Sequence, residues 1–404
     1  MLIEALTLQL GYNATLVTLG AALLGMAGGV AGVFLGLRRR ALVSDALAHA
    51  TLPGVALAFM AMVALGGDGR NLAVLMAGSA ISAGIGLLAV QALATRTRLP
   101  EDAAIGAVLS VFFGVGVVLL TVIQTMTAGK QAGLETFLLG ATAGMLQSEA
   151  WIIAGGAALT LVCVIALRRP MTLVSFDAGY ALTRGMRPAR IDLLIMALAL
   201  AVTVVGLKIV GLVLIVALLI IPPVTARLWT DRVDHLLVIA GLCGGLAGYG
   251  GAALSASAAA LPTGPLIVLL AFGFFAASLL AAPQRGALAR WLRHRRFQRR
   301  VHLRQGLLAL GYGQPIRDTL TLRVLAHAGL IRGDGAPTEA GRATAALALR
   351  DAARWRALAR MPGMEALAAR HDGVNDIATV LTPDQIAAVD ARLAPLHEVG
   401  RDGG

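Results

Sequence analysis

Charge is scarce in this chain. Only 14% of its 404 residues are Asp, Glu, Lys or Arg, against 58% hydrophobic, and the mean hydropathy is +0.80. Soluble proteins carry about a quarter charged residues, so a purely soluble globule is excluded. Lysine occurs only at Lys130 and Lys208, neither within a GxxxxGK[ST] run, so the chain has no P-loop with which to bind ATP. Cysteine is limited to Cys163 and Cys243, which fall in apolar runs without CxxC spacing or a histidine neighbour. They read as small buried apolar residues, not as thiolate metal ligands.

What is abundant is apolar sequence in runs of roughly 18 residues or more, each long enough to cross ~30 Å of hydrocarbon as a helix. Spans are predicted at about 12–36, 45–66, 72–93, 103–126, 150–168, 189–207, 209–228, 234–257 and 263–282. The first run, starting near Leu10, is longer than a signal peptide's core and has no basic leader, so it is expected to be retained as a helix. The fold class is therefore all-α: a polytopic membrane helical bundle of eight or nine spans over residues 1–283, followed by a soluble, mainly helical extension over 284–404.

Arginines cluster at Arg38, Arg39 and Arg40, at Arg96 and Arg98, at Arg168 and Arg169, at Arg184, Arg187 and Arg190, at Arg227 and Arg232, and from Arg285 onward. The positive-inside rule makes all of these loops cytoplasmic. The alternation then requires that "QAGLETFLLGATAGMLQ" (131–147) not cross fully, and it is expected as a re-entrant or surface helix on the outer side. Nine spans follow, with the N-terminus outside and the C-terminus inside, or eight if one further segment is partial. Lipid is thus a partner along the bundle.

Two segments depart from the apolar pattern. Between Pro170 and Asp192 the chain turns polar and carries "SFDAGYALTRGMRPARID", either an ordinary connector or a short amphipathic piece that docks on a soluble partner. From Arg285 to the end there are 19 arginines against 11 acids, two thirds of the net charge of +12. Helical patterns are predicted there at 301–310, 317–330 and 339–360, with the turn "RGDG" and then "PTEAG" opening the last. Helix pairs with a short wing suggest a winged-helix-like module. A regulatory or packing appendage is an equal reading to a nucleic-acid binder, and nucleic acid is not expected among the partners.

Within the spans one ionisable pair stands out. In "SDALAHATLPG" (44–54), Asp45 and His49 are four residues apart and so share a helix face. A charge at mid-membrane costs ~2.5–3.5 kcal/mol on insertion scales. Asp45 could cap the helix while His49 bonds a carbonyl. The pair could relay protons. Or its oxygen and nitrogen could hold manganese, zinc or ferrous iron, with a facing subunit completing the shell. Two ligands hold a metal weakly, which suits an ion that must leave as well as enter. The residues alone leave these open.

The run "VFLGLRRRALVSDALAHATLPGVALAF" (33–59) resembles the signature region of the permease subunits of ABC importers for zinc and manganese, the ABC-3 family. A second stretch, "FDAGYALTRGMRPARIDLLIMALALAVTVVGLKIVGLVLIVALLIIPPVTARL" (176–228), is similar to that family's cytoplasmic coupling segment and the two spans after it. The resemblance covers about residues 5–283. It implies a transport subunit, not an enzyme, with metal coordination along the permeation path by Asp45 and His49. It also implies contact with a separate cytoplasmic ABC ATPase through Phe176, Asp177, Ala178, Tyr180, Ala181 and Gly185. Pro223 stands where a small residue is commoner and is assigned no ligand role.

The same resemblance implies a second permease subunit, identical or homologous, an extracytoplasmic metal-binding protein and a location in the cell inner membrane. No cofactor is expected to be bound permanently; the divalent metal is cargo. Glu135 and Lys130 are candidates for docking the binding protein, with solvated charge the simpler reading. The chain departs from many such permeases by its extension of about 120 residues. Some members carry extensions that look like metal-dependent repressor domains, but here His294, His302, His327 and His371 are too dispersed to nominate a site. Two alternatives remain: a permease for iron chelates or cobalamin, and a membrane-anchored metal-sensing regulator acting through the tail.

Overall fold

The computed structural model describes residues 11–67, 71–126, 147–257, 261–283 and 285–393, with Glu4, Thr7, Gln9 and Gly69 as isolated positions. The expected outer-face segment 131–147, with Lys130 and Glu135, lies outside the described residues except for Gln147. Contacts divide the chain into two units, Met1–Ala289 and Arg290–Gly404.

The first unit is a helical bundle. Its elements are α1 (Tyr12–Leu37), α2 (Ala41–Ala64), α3 (Leu72–Arg96), α4 (Glu101–Thr125), α5 (Gln147–Phe176), a short α6 (Ala178–Thr183), α7 (Pro188–Val210), α8 (Leu212–Trp229), α9 (Val233–Ser257) and α10 (Thr263–Ala281). Eight of these are long and apolar enough to cross a membrane; α8 is the shorter one. At about 1.5 Å per residue its 18 residues still cover about 27 Å.

Ion pairs tie the arginine clusters to one end of the bundle. Arg40 meets Glu101 at the start of α4 at 2.7 Å, and Arg38 reaches the Val174 carbonyl near the end of α5 at 3.0 Å. Arg168 of α5 meets Asp234 at the start of α9 at 2.6 Å, and Arg285 after α10 meets Asp231 at 2.8 Å. The start of α4 and the end of α5 are therefore at the same end, so the chain leaves α4 and enters α5 at the opposite end, as the alternation of arginines requires. The same accounting makes α8 run the full length of the bundle.

One connector is shorter than expected. The polar stretch was expected to begin at Pro170, but α5 continues through that proline to Phe176. Pro170 removes one helical hydrogen bond, yet Met171 and Val174 beyond it are buried in the bundle at 1% and 0% exposure, and that burial holds the last turn in register.

At the centre lie α1, α2 and α9, the most buried of the spans. Lipid tails give no hydrophobic drive between helices, so close packing must supply the attraction, and small residues permit it. A Cβ on Gly25 would lie 2.1 Å from the Gly244 carbonyl oxygen of α9, and one on Gly29 2.3 Å from that of Ala240. The run "GAALLGMAGGVAG" is thus a packing surface. On its other side α1 meets α8, where Pro222 and Pro223 withhold the donors that the Leu218 and Leu219 carbonyls would otherwise receive. Gly32 comes so near the Leu219 carbonyl that an added Cβ would sit 1.9 Å from its oxygen, close enough for backbone C–H to approach it.

The second unit contains most of α11 (Ala287–Gly311), then α12 (Thr319–His327), α13 (Glu339–Leu358), α14 (Glu365–Ala368), a 3-10 turn (Ile377–Thr379) and α15 (Pro383–Leu393). Asp318 caps α12 by accepting from Thr321 N at 2.9 Å, and Thr338 caps α13 by accepting from Gly341 N at 3.1 Å. Between them the chain turns at Arg332–Gly335, closed by an antiparallel bridge between Ile331 and Pro337. Leu307, Leu325, Leu330, Ile331 and Ala345 form one core, and Trp355, Leu358, Ile377 and Val389 a second. A buried Arg304–Asp351 pair at 2.5 Å links α11 to α13, and the other Asp351 oxygen accepts from Ile377 N at 2.8 Å. The Arg354 guanidinium clamps α15 to α13 and, by its hydrogen bonds, holds the Asp390 carboxyl below its ordinary range.

Replacing Gly29 by Val should cost at least about 1–3 kcal/mol by forcing α1 off α9. Gly36→Ala, which meets open space, should be near neutral. Thermal unfolding of the two purified variants in detergent reads the difference.

Candidate metal site

The site begins at the turn between α1 and α2. Arg39 has a φ of 58°, the one described non-glycine residue in the left-handed region, and this lets the chain reverse within three residues. The flanking arginines turn inward. Arg38 donates to Asp192 Oδ2 of α7 at 2.6 Å and to the Val174 carbonyl. Arg40 pairs with Glu101 and lies 3.5 Å from the same Asp192 oxygen. Two buried atoms of this cluster, Arg38 Nε and Asp192 Oδ1, have no partner. The cluster ties four helices together at the entry to α2.

From there α2 runs past Asp45 and His49. Their side chains lie side by side one turn apart, with His49 Nε2 3.4 Å from Asp45 Oδ1. That is ion-pair range but long for a hydrogen bond. The His49 side chain is 21% exposed and Asp45 44%, so the pair opens at the surface of the bundle. The His49 ring packs edge-on against Phe113 of α4, with centroids 5.1 Å apart. Its Nδ1 is buried and has no hydrogen-bond partner.

Just beyond the pair α2 is gripped from both sides. Pro53 cannot donate to the His49 carbonyl one turn back, so that carbonyl lacks its ordinary helical donor. Ser82 of α3 donates its hydroxyl to the Ala50 carbonyl at 2.7 Å. Gly54 and Gly78 bring α2 and α3 into backbone contact, and Gly116 lets α4 close on Leu52 and Pro53. The backbone carrying Asp45 and His49 is thus fixed at both ends.

The site offers one carboxylate and one imidazole on one face, a donor set for manganese, zinc or ferrous iron. No cluster of three or more His, Cys, Asp or Glu residues arranged to hold a metal occurs among the described residues. A cation here would take its remaining ligands from outside the described chain. Three of the tail histidines are engaged elsewhere: His302 lies 3.0 Å from Thr321 Oγ1, His327 contacts the Arg323 carbonyl, and His371 stacks on Trp355.

The segment 176–185 forms a separate surface at the arginine-rich end. Asp177 caps α6 by accepting from Tyr180 N at 2.8 Å. Gly185, at φ 76°, ends it with Met186 N donating back to the Ala181 carbonyl at 3.0 Å. Ala181 is fully buried and Ala178 half-buried, and both seat the helix on the bundle. Phe176, Tyr180 and Leu182 stand 66%, 47% and 59% exposed. Arg184 braces the Tyr180 hydroxyl at 3.1 Å. Leu182 was not singled out from the sequence, although a leucine amid polar neighbours was the available signal. The Arg38–Arg40–Asp192–Glu101 cluster was also missed, because the arginines had been read for topology only. Pro223 packs toward Gly32 of α1.

The family described as "ABC 3 transport family" matches residues 12–282. The chain is 39% identical over 322 residues to the "Manganese transport system membrane protein MntC" of Bacillus subtilis, covering 80% of this chain and 73% of that protein. Because 80% exceeds the share held by Met1–Ala289, this match reaches into the second unit. It is 36% identical over 285 residues to the "Zinc transport system membrane protein TroC" of Treponema pallidum, covering 70% of this chain and 94% of that one. Among solved structures, "PsaBC from Streptococcus pneumoniae in complex with Fab" superposes with a TM-score of 0.61 at 27% identity, covering 73% of this chain and all of the matched chain.

Asp192→Asn should destabilise the bundle by roughly 3 kcal/mol, since it leaves two inward arginines facing a neutral group. Glu101 is 34% exposed, so Glu101→Gln should cost under about 1 kcal/mol. Thermal midpoints of the purified variants check the order.

Proposed function

The chain belongs to the ABC 3 transport family, and on that premise we propose that its cargo is a divalent transition metal, manganese, zinc or ferrous iron, bound in passage by Asp45 and His49. It is a multi-pass membrane permease. The observation that carries the reading is the open pair itself: an acid and an imidazole one turn apart on a fixed helix, 44% and 21% exposed, with no third His, Cys, Asp or Glu grouped with them among the described residues.

Charge complementarity supports the first step. The Asp45 carboxylate attracts the cation, and a neutral His49 imidazole gives it a lone pair; the two together select against hard alkali ions. Two ligands from one chain leave the coordination shell incomplete. A second permease subunit, identical or homologous, supplies the facing wall, and an extracytoplasmic binding protein delivers the ion. The weak grip of a shared site lets the metal go once the spans rearrange. No permanently bound cofactor enters the scheme.

Energy comes from a separate cytoplasmic ABC ATPase, a reading that the lack of a GxxxxGK[ST] run in this sequence supports. Its dock is the surface from Phe176 to Gly185, where Phe176, Tyr180 and Leu182 stand exposed on and beside a capped helix. This end of the bundle collects the arginine clusters, which supports its assignment to the cytoplasmic side of the inner membrane, with the N-terminus outside. The match to a manganese transport protein that extends into the second unit favours transport over a regulator that merely senses metal.

Reconstitution with the ATPase and the binding protein in vesicles tests the site. The wild type should accumulate metal with ATP, whereas Asp45→Ala and His49→Ala should each lose more than about tenfold in uptake while still binding the ATPase. Full uptake by both variants would remove the proposed cargo site. Separately, Phe176→Ala with Tyr180→Ala should reduce co-purification of the ATPase by about tenfold or more, as loss of aromatic anchors does. Undiminished capture at an unchanged thermal midpoint would move the dock elsewhere.

A further inference from the structure

Helix α11 carries a surface that transport does not use. Every residue from 290 to 300 is exposed, so about three turns of helix have no apolar face covered by the described residues. Trp291, Leu292, Arg295, Arg296 and Arg299 follow helical spacing and fall on one face. The Trp291 side chain is 47% exposed and Leu292 40%, and the Arg295 guanidinium lies 3.8 Å above the Trp291 ring. Arg295 and Arg299, like Arg296 and Arg299, are near neighbours of like charge, an arrangement that weakens a helix unless anions offset it. The sequence offers no local relief, since no acid occurs between Asp234 and Asp318.

Chain connectivity decides which anion is at hand. Arg285 is pinned to Asp231 at 2.8 and 3.0 Å, close behind the end of the last span. Trp291 follows it by six residues, a reach of at most about 21 Å even fully extended. This face is therefore tethered beside the membrane surface at which α10 ends. An indole and a leucine beside arginines match the depth profile of a bilayer interface, apolar at the ring and charged at the headgroup. A nucleic-acid duplex, its bases already stacked, would use the arginines and leave Leu292 without a role.

We propose that Trp291, Leu292, Arg295, Arg296 and Arg299 form a surface that binds the headgroups of anionic phospholipids in the leaflet where α10 ends. Juxtamembrane basic clusters of this size gain from each arginine near a negative surface, and the attraction decays within a Debye length. The surface fixes the start of the second unit to the bilayer, and lipid composition controls how firmly.

The full-length protein in nanodiscs tests this by hydrogen exchange of the segment 290–300. Discs with about 30% phosphatidylglycerol should slow exchange about tenfold relative to pure phosphatidylcholine, with the effect lost at about 0.5 M salt. The triple variant Arg295→Gln, Arg296→Gln, Arg299→Gln should show no lipid dependence, while unchanged protection of α13 reports that it is folded. Equal exchange of the wild type in both lipids would overturn the proposal, as would full lipid dependence in the triple variant. Slowing by glycerophosphoglycerol or inorganic phosphate in phosphatidylcholine discs, to the same degree as by the lipid, would replace the surface with a small-anion site. Slowing by a short DNA duplex but not by phosphatidylglycerol would assign it to nucleic acid.

Discussion

Hydrocarbon offers no hydrogen bonds, so every charged group inside the bundle must be met by protein, and this chain meets its charges in two ways. Asp192 is nearly enclosed and its charge is met by two arginines from the turn before α2, both at Oδ2, one of which also holds a carbonyl of α5. Among the described residues Asp45 and His49 have only each other as an ion-pair partner, at a separation too long for a good hydrogen bond. The same fold that encloses one carboxylate leaves another half open, seven residues after Arg38. The contrast locates the site better than the mere presence of polar residues does.

Packing explains how the bundle tolerates that opening. Its rigidity comes from helix backbones in direct contact, Gly25 and Gly29 of α1 against α9 and Gly54 of α2 against Gly78 of α3. Prolines and glycines are complementary across these seams. Pro222 and Pro223 release carbonyls on α8 that Gly28 and Gly32 of α1 approach, and beside Pro53 of α2 the Ser82 hydroxyl of α3 adds a bond to the Ala50 carbonyl. On α8, residues that would break an isolated helix thus become contacts between helices, because α1 closes on what the two prolines give away.

Much of this was legible in sequence, for identifiable reasons. Span positions follow from hydropathy and length, which depend on local composition. The shared end of the arginine clusters follows from charge alternation. The Asp45–His49 pair follows from spacing on one helix. What was not legible depends on partners distant in sequence. Nothing near Arg38 announces Asp192, 154 residues away, and Ser82 reaches Ala50 across 32. Pro170 misled because the rule that proline ends helices is local, whereas the burial of Met171 and Val174 that keeps α5 going is tertiary. Helix α11 begins at Ala287, well before the expected 301, because its first turns carry no apolar periodicity to reveal them.

The position of the pair between two anchors has a mechanical consequence. Arg40 holds the start of α2 to α4 and α7, and the Ser82 bond with the Gly54 contact holds its middle to α3. Asp45 and His49 lie between these points on one helical face, so any tilt or rotation of this stretch carries both donors together and preserves their mutual geometry. The Val174 carbonyl that Arg38 grips lies two residues before Phe176, the first exposed side chain of the α6 surface. A force applied at α6 therefore has a continuous path of hydrogen bonds and ion pairs to the entry of α2. On the proposed reading of Asp45 and His49 as metal donors, release would need no separation of the two from each other. A turn of this stretch away from ligands on a facing wall would suffice, because two donors alone hold an ion weakly.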